Sequence, residues 1–203
     1  SVATATSVGD AMKPIQYGVA VPSGMEMLVH ANRSHSKWQP RGVTGITDCD
    51  GAFPRSKRKK VGEGLIDIGL ECLYPYFAAG HSGSVPVYVD GELDAVLQMD
   101  EGLFQAKVLA TTYYCVSIQP LLVRLSQTFP LLRVSAIVDD ITWQGNIPDA
   151  KRAFAWLMAH GPEYGYHSKL SKLKLVLGDE TIDPTIQRLG FNREEGVGEE
   201  EEG

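Results

Sequence analysis

Apolar positions recur at helical spacing over some stretches of the chain and cluster as short strands over others. Met25, Leu28, Val29 and Ala31 fall on one side of a helix from about Gly24 to Arg33. In "RGVTGITDCDGAF", Val43 and Ile46 mark a short strand that ends at Asp48. A helix pattern follows, with Ser56 as candidate cap and Val61, Leu65, Ile68, Leu70 and Cys72 on its buried side; Pro75 ends it. "SVPVYVDGELDAVLQMD" holds two strand-like runs around Asp90-Gly91, the pair favoured in a type I′ hairpin turn. The next helix runs from about Gln105 to Phe129, with Val108, Tyr113, Val116, Ile118, Leu121, Leu122 and Leu125 facing inward. "VSAIVDDITWQG" reads as a second hairpin with Asp139 and Asp140 at its tip. Pro148 opens a helix that closes near Gly161 or Gly165, and "KLKLVLG" is a last strand. The order predicts an α+β fold, a mainly antiparallel sheet with helices packed on one face.

Composition narrows the function classes. The 203 residues, 43% of them hydrophobic, suffice for one sizeable core. No apolar run reaches the ~20 residues that span a bilayer. Of the net charge of −6, the last eleven residues, "REEGVGEEEEG", carry −5, so the first 192 sum to −1. The reading divides the chain into a flexible segment 1–13, a domain over 14–192 and an acidic, disordered tail over 193–203. A near-neutral body counts against strong nucleic-acid binding. Cys49, Cys72 and Cys115 are scattered, without metal spacing, which argues against zinc or a disulfide framework and fits a reduced intracellular compartment. The Ser/Thr-rich start could be what remains after removal of a targeting peptide, so an organelle is compatible.

The chemistry sits at the aspartates. Adjacent carboxylates repel, and a buried one needs a partner. A solvated hairpin turn is one reading of Asp139-Asp140, since Asp favours turns. A divalent-metal site is the other. Asp48, at the end of its own strand, supplies the matching carboxylate if the two strands are neighbours. Three carboxylates would then hold two Mg²⁺ ions through oxygen donors.

Four stretches in this order resemble a known family. "ITDCDGAFPRSKR", "EGLFQAKVLATTYYCVSIQPLL", "AIVDDITWQG" and "GPEYGYHSKLSKLKLVL" are similar to motifs A, B, C and D of the reverse-transcriptase palm of the non-LTR retrotransposon type. "PIQYGVAVPSGMEMLVHANR" resembles the lead-in before that palm, and the likeness covers roughly residues 14–178. It implies that Asp48 and Asp139 are metal ligands with Asp140 beside them. It implies further that Phe53 gates against a ribose 2′-hydroxyl, that Gln105 lies by nucleotide and template, and that Lys172 can protonate pyrophosphate.

The departures are as specific. Motif B has Gln105-Ala106-Lys107-Val108-Leu109 where the family has Gln-Gly-Asp-Pro-Leu; Ala106 restricts close backbone approach and the Pro is missing. Lys169-Leu170 replaces the Asn-Pro of motif D. Little chain precedes motif A or follows the last strand, leaving no length for fingers or thumb. "PRSKRKK" has five basic residues in seven, which could touch phosphates or form a solvated helix start. The five histidines have no ligand spacing, and Trp38, Trp143 and Trp156 read as packing anchors. Two functions fit: an RNA-directed DNA polymerase palm without independent activity, or a structural subunit built on that palm. Either implies protein partners in a larger assembly; RNA or DNA is less supported.

Overall fold

The computed structural model describes residues 8–39, 41–81, 84–98, 101–105, 107–168 and 170–177. The acidic tail, the start of the N-terminal segment, Ala106 and Lys169 lie outside the described residues. Four strands form an antiparallel sheet in the order β4-β5-β1-β6: β1 (Val43–Thr47), β4 (Arg133–Ile137), β5 (Asp140–Gly145) and β6 (Lys174–Leu177). Strands β2 (Ser84–Val89) and β3 (Glu92–Gln98) form a separate hairpin, closed by Asp90 and Gly91 with φ of 51° and 85°, as the Asp-Gly pair predicts.

The register explains the core. Thr47 pairs with Ile141, and Gly45 with Trp143, so these residues share one face with Val134 and Ala136. Two helices cover that face: α5 (Ala110–Thr128) and α6 (Ile147–His160). Tyr114, Ile118, Leu121, Leu122 and Leu125 of α5 are completely buried, which makes it the central helix of the domain. Asn146 caps α6, accepting from the Asp149 N–H at 2.8 Å, with Pro148 in the first turn.

Helix α1 (Gly24–Trp38) lies against the opposite sheet face, where the carbonyls of Ala31 and Asn32 accept hydrogen bonds from Arg133 and Gln144. It is five residues longer than its apolar pattern predicts, because the polar stretch after Arg33 contains no breaker before Pro40. Its Met25, Met27 and Val29 are exposed, while Leu28 is buried. Trp38 is 84% exposed and anchors no core, whereas Trp143 is buried.

Between β1 and α5 the single expected helix is broken into α2 (Ala52–Arg55), α3 (Arg58–Asp67), a 3₁₀ turn (Glu71–Leu73) and α4 (Tyr74–His81). Ser56 does not cap the start of α3, where Lys57 stands; it is the C-cap of α2, buried in an extended kink between the two helices, its hydroxyl 3.5 Å from that of Ser117. Pro75 opens α4 rather than ending a helix, since its missing N–H costs nothing in a first turn. Cys72 is exposed on the 3₁₀ turn. The start of α5 also differs. The N–H groups of Gly102 and Leu103 donate to the carbonyls of Ser56 (2.9 Å) and Phe53 (2.8 Å), which holds the chain in a loop past Gln105. Helix α5 therefore begins at Ala110, and Val108 is 98% exposed instead of buried.

Candidate functional site

Antiparallel pairing of β1 with β5 puts the chain end after Thr47 beside the chain start before Ile141. Asp48 thus arrives next to the β4–β5 turn. That turn has two residues, Val138 and Asp139, between the paired Ile137 and Asp140. The side chains of Asp48 and Asp139 come within hydrogen-bond reach of each other. The Asp139 carboxyl is pushed up to about 6, first by burial, then by that contact and the charges of Asp140 and Asp48. Burial and Asp48 also raise Asp140, opposed by Lys172 and Lys174.

Lys172 completes the arrangement. It stands on the 3₁₀ turn Leu170–Lys172 that leads into β6, and its Nζ is 2.5 Å from Asp48 Oδ2, with both side chains 39% exposed. The contact holds the ammonium on Asp48 and raises its pKa. Asp48, Asp140, Lys172, Ile46 and Thr142 line a groove of about 330 Å³ on the sheet face next to α1.

Two buried groups to which the sequence pattern assigns no role at this site fix this end of the sheet. The Tyr166 hydroxyl sits between the carbonyls of Asp139 (2.9 Å) and Thr47 (3.2 Å), donating to one at a time, and so ties the Asp139 turn to the end of β1. Cys49 is buried behind Asp48. Its thiol accepts from the His167 N–H at 3.4 Å, while the Asp50 N–H donates to the His167 carbonyl at 2.8 Å. Neither group shows in an apolar period, because both bond to backbone.

The other sequence candidates are less convergent. Phe53, half-buried on α2, packs on Tyr114 with ring centroids 5.4 Å apart. Gln105 is exposed on the loop that Leu103 ties to Phe53. The basic run is engaged by acids and carbonyls: Arg55 with Asp50, Lys57 with Glu101, Lys60 with Glu63 and Glu163, and the Arg58 Nε with the Gly102 carbonyl.

The donor set suits a hard cation: the nearest groups are carboxylate oxygens, as Mg²⁺ or Mn²⁺ requires. The Lys172 ammonium on Asp48 shows that this carboxylate already accepts a positive charge. Among the described residues, no three Asp, Glu, His or Cys side chains stand within reach of one ion. The arrangement is a carboxylate pair with Asp140 alongside it.

No family model and no curated protein matches the chain. Among solved structures it is similar to apo telomerase from Candida tropicalis, with TM-score 0.65 and 11% identity over 88% of this chain and 37% of that one. The same enzyme truncated from its C-terminal domain gives TM-score 0.64 and 10% identity over 90% and 41%. Telomerase from Candida albicans, in complex with the TWJ fragment of telomeric RNA, gives TM-score 0.56 and 10% identity over 90% and 34%. At that identity the likeness shows the fold alone, a reverse-transcriptase-like one. The chain spans about two fifths or less of the telomerase chains it matches.

Proposed function

We propose that this chain is the palm of a nucleic-acid-synthesising assembly of the reverse-transcriptase type, related to non-LTR retrotransposons, with a divalent-cation site at Asp48 and Asp139. The observation that carries the reading is the pairing of those two carboxylates where β1 ends and the β4–β5 turn begins. Asp48 and Asp139 would hold the ion and Asp140 would add negative charge beside them. When bound, such an ion activates an attacking hydroxyl and stabilises a leaving phosphate. Lys172 can release Asp48 to the ion and, as an ammonium freed from that pair, stand beside the leaving group as a proton donor. Phe53 and the Gln105 loop would border the nucleotide.

The chain alone is proposed not to extend DNA. Its body carries little net charge to attract a polyanion, and its basic run is already engaged. Motif B lacks the Gly and Pro that shape a nucleotide pocket, and Val108 projects into solvent. RNA and protein partners in a larger assembly would supply the grip. The TWJ fragment held by the Candida albicans telomerase supports an RNA among them. A second reading, a structural subunit without catalysis, is favoured by the Lys172–Asp48 ion pair, which neutralises the site internally.

Primer extension on an RNA template with Mg²⁺ or Mn²⁺, with Asp139→Ala as control, tests the proposal. No extension by the chain alone, with extension when copurifying partners are restored and its loss in Asp139→Ala, is the expected result. Extension by the restored assembly that persists in Asp139→Ala would leave only the structural reading.

A further inference from the structure

The lead-in segment before α1 does more than enter the domain. Ile15 and Tyr17 pair in parallel with Ala136 of β4: the Ala136 N–H donates to the Ile15 carbonyl and the Tyr17 N–H to the Ala136 carbonyl, both at 2.8 Å. Between them Gln16 is completely buried. Its Oε1 accepts from the N–H of Val138 at 2.8 Å and of Gly18 at 2.9 Å, and its Nε2 donates to the Val138 carbonyl at 3.0 Å. One side-chain amide therefore satisfies both polar backbone groups of a single turn residue.

That residue is strained. Val138 has φ of 54°, a conformation that a β-branched side chain adopts only under strain. Strain of this kind persists only where the surroundings over-determine it. Gly18 lets the lead-in approach closely enough to do so: a Cβ there would lie 2.4 Å from the Val138 nitrogen. The next residue is Asp139, whose carbonyl Tyr166 holds from the other side.

We infer that Gln16 is a positioning residue of the carboxylate site: by clamping the Val138 peptide in its left-handed conformation it sets Asp139 against Asp48 and so determines the divalent-cation affinity of the pair. The inference rests on the metal-site reading above. Gln16 touches no reacting atom; it acts through the turn. A buried side-chain amide bonded to both backbone groups of one residue is more than a core needs, because backbone pairing at Ile15 and Tyr17 already holds the segment.

Mn²⁺ binding to the full chain, followed by electron paramagnetic resonance, tests it with Gln16→Met, Val138→Gly, the double variant, Gly18→Ala and Asp139→Asn. Gln16→Met keeps volume and removes the clamp; affinity falls about 10- to 100-fold, the usual loss when groups orienting a ligand are removed. Gly18→Ala keeps Gln16 but drives a methyl against Val138, and affinity falls likewise. Glycine takes positive φ without steric cost, so Val138→Gly restores binding to Gln16→Met. A merely structural Gln16 would not be rescued at that position. Wild-type affinity in folded Gln16→Met, or a double variant no better than Gln16→Met, overturns the inference. If Gln16→Met does not fold, wild-type affinity in folded Gly18→Ala overturns it. Wild-type binding unchanged by Asp139→Asn is a distinct outcome: it removes the metal-site reading and the positioning role with it.

Discussion

Asp139 carries a charge at neutral pH that its surroundings oppose. Its folded carboxyl titrates at about 6, against an ordinary value of about 3.9. The folded state therefore binds the proton more tightly than the unfolded chain between about pH 4 and pH 6. Stability from this group is full below about pH 4 and is lost as pH rises through about 6. Asp139→Asn removes that dependence while still offering an N–H to Asp48. Urea midpoints should thus match at pH 4, then favour the Asn variant increasingly up to about pH 6, with a plateau above. A second prediction concerns Lys172, which competes with any cation for Asp48. Lys172→Met should tighten Mn²⁺ binding by a modest factor, up to about fivefold, as expected for removing a solvent-screened competitor; titration calorimetry reads it. At this scale the sequence exposes what is charged and periodic, and hides what bonds to backbone. Asp48 and Asp139 were legible as carboxylates at strand ends. Gln16 and Tyr166 were not, although Gln16-Tyr17-Gly18 held a hint, a glycine two residues from an amide that a close neighbour could use.

Among the elements, the strands and the two core helices follow from their periods, because each buries one stripe or face and the register leaves no choice. Helix boundaries were less legible, and the physical reason is tertiary. The loop before α5 is held by hydrogen bonds to α2, which no local pattern reports, so Val108 leaves the core side it was assigned. The break at Ser56 is set by its burial against Ser117. Gly102 is the pivot of this loop: φ is 83°, and an added Cβ would lie 2.6 Å from the Pro54 carbonyl oxygen. Gly102→Ala should therefore destabilise the fold by roughly 1–3 kcal/mol in denaturant titration. Loss of protection at the Leu103 amide in hydrogen exchange would accompany it. An Ala variant as stable as the parent would show that the loop does not depend on this contact. The β2–β3 hairpin was the clearest turn signal in the chain, and its shape was right. What the turn could not tell is that Tyr88, Val89, Leu93, Val96 and Leu97 remain exposed.

Over the whole molecule, the fold class was legible because the motif order and the strand periods agree, and the likeness to telomerase structures bears out a reverse-transcriptase-like fold. Placement across the sheet was not, since α1 has too weak an apolar side to announce that it lies opposite α5 and α6. That placement matters, because it builds one wall of the groove into which Asp48 and Asp140 open. The charge balance acts at this scale too: a body of about −1, with its basic run engaged, offers a polyanion little long-range attraction. At the site itself, the end of β1 and the β4–β5 turn are proposed to hold a divalent cation between them. Paramagnetic broadening of backbone amides by substoichiometric Mn²⁺ measures it most directly. The expected result is selective loss of signals around Thr47–Cys49 and Val138–Ile141, abolished by Asp139→Asn and reversed by excess Mg²⁺. Broadening spread over other acidic residues, or unchanged in Asp139→Asn, would contradict it.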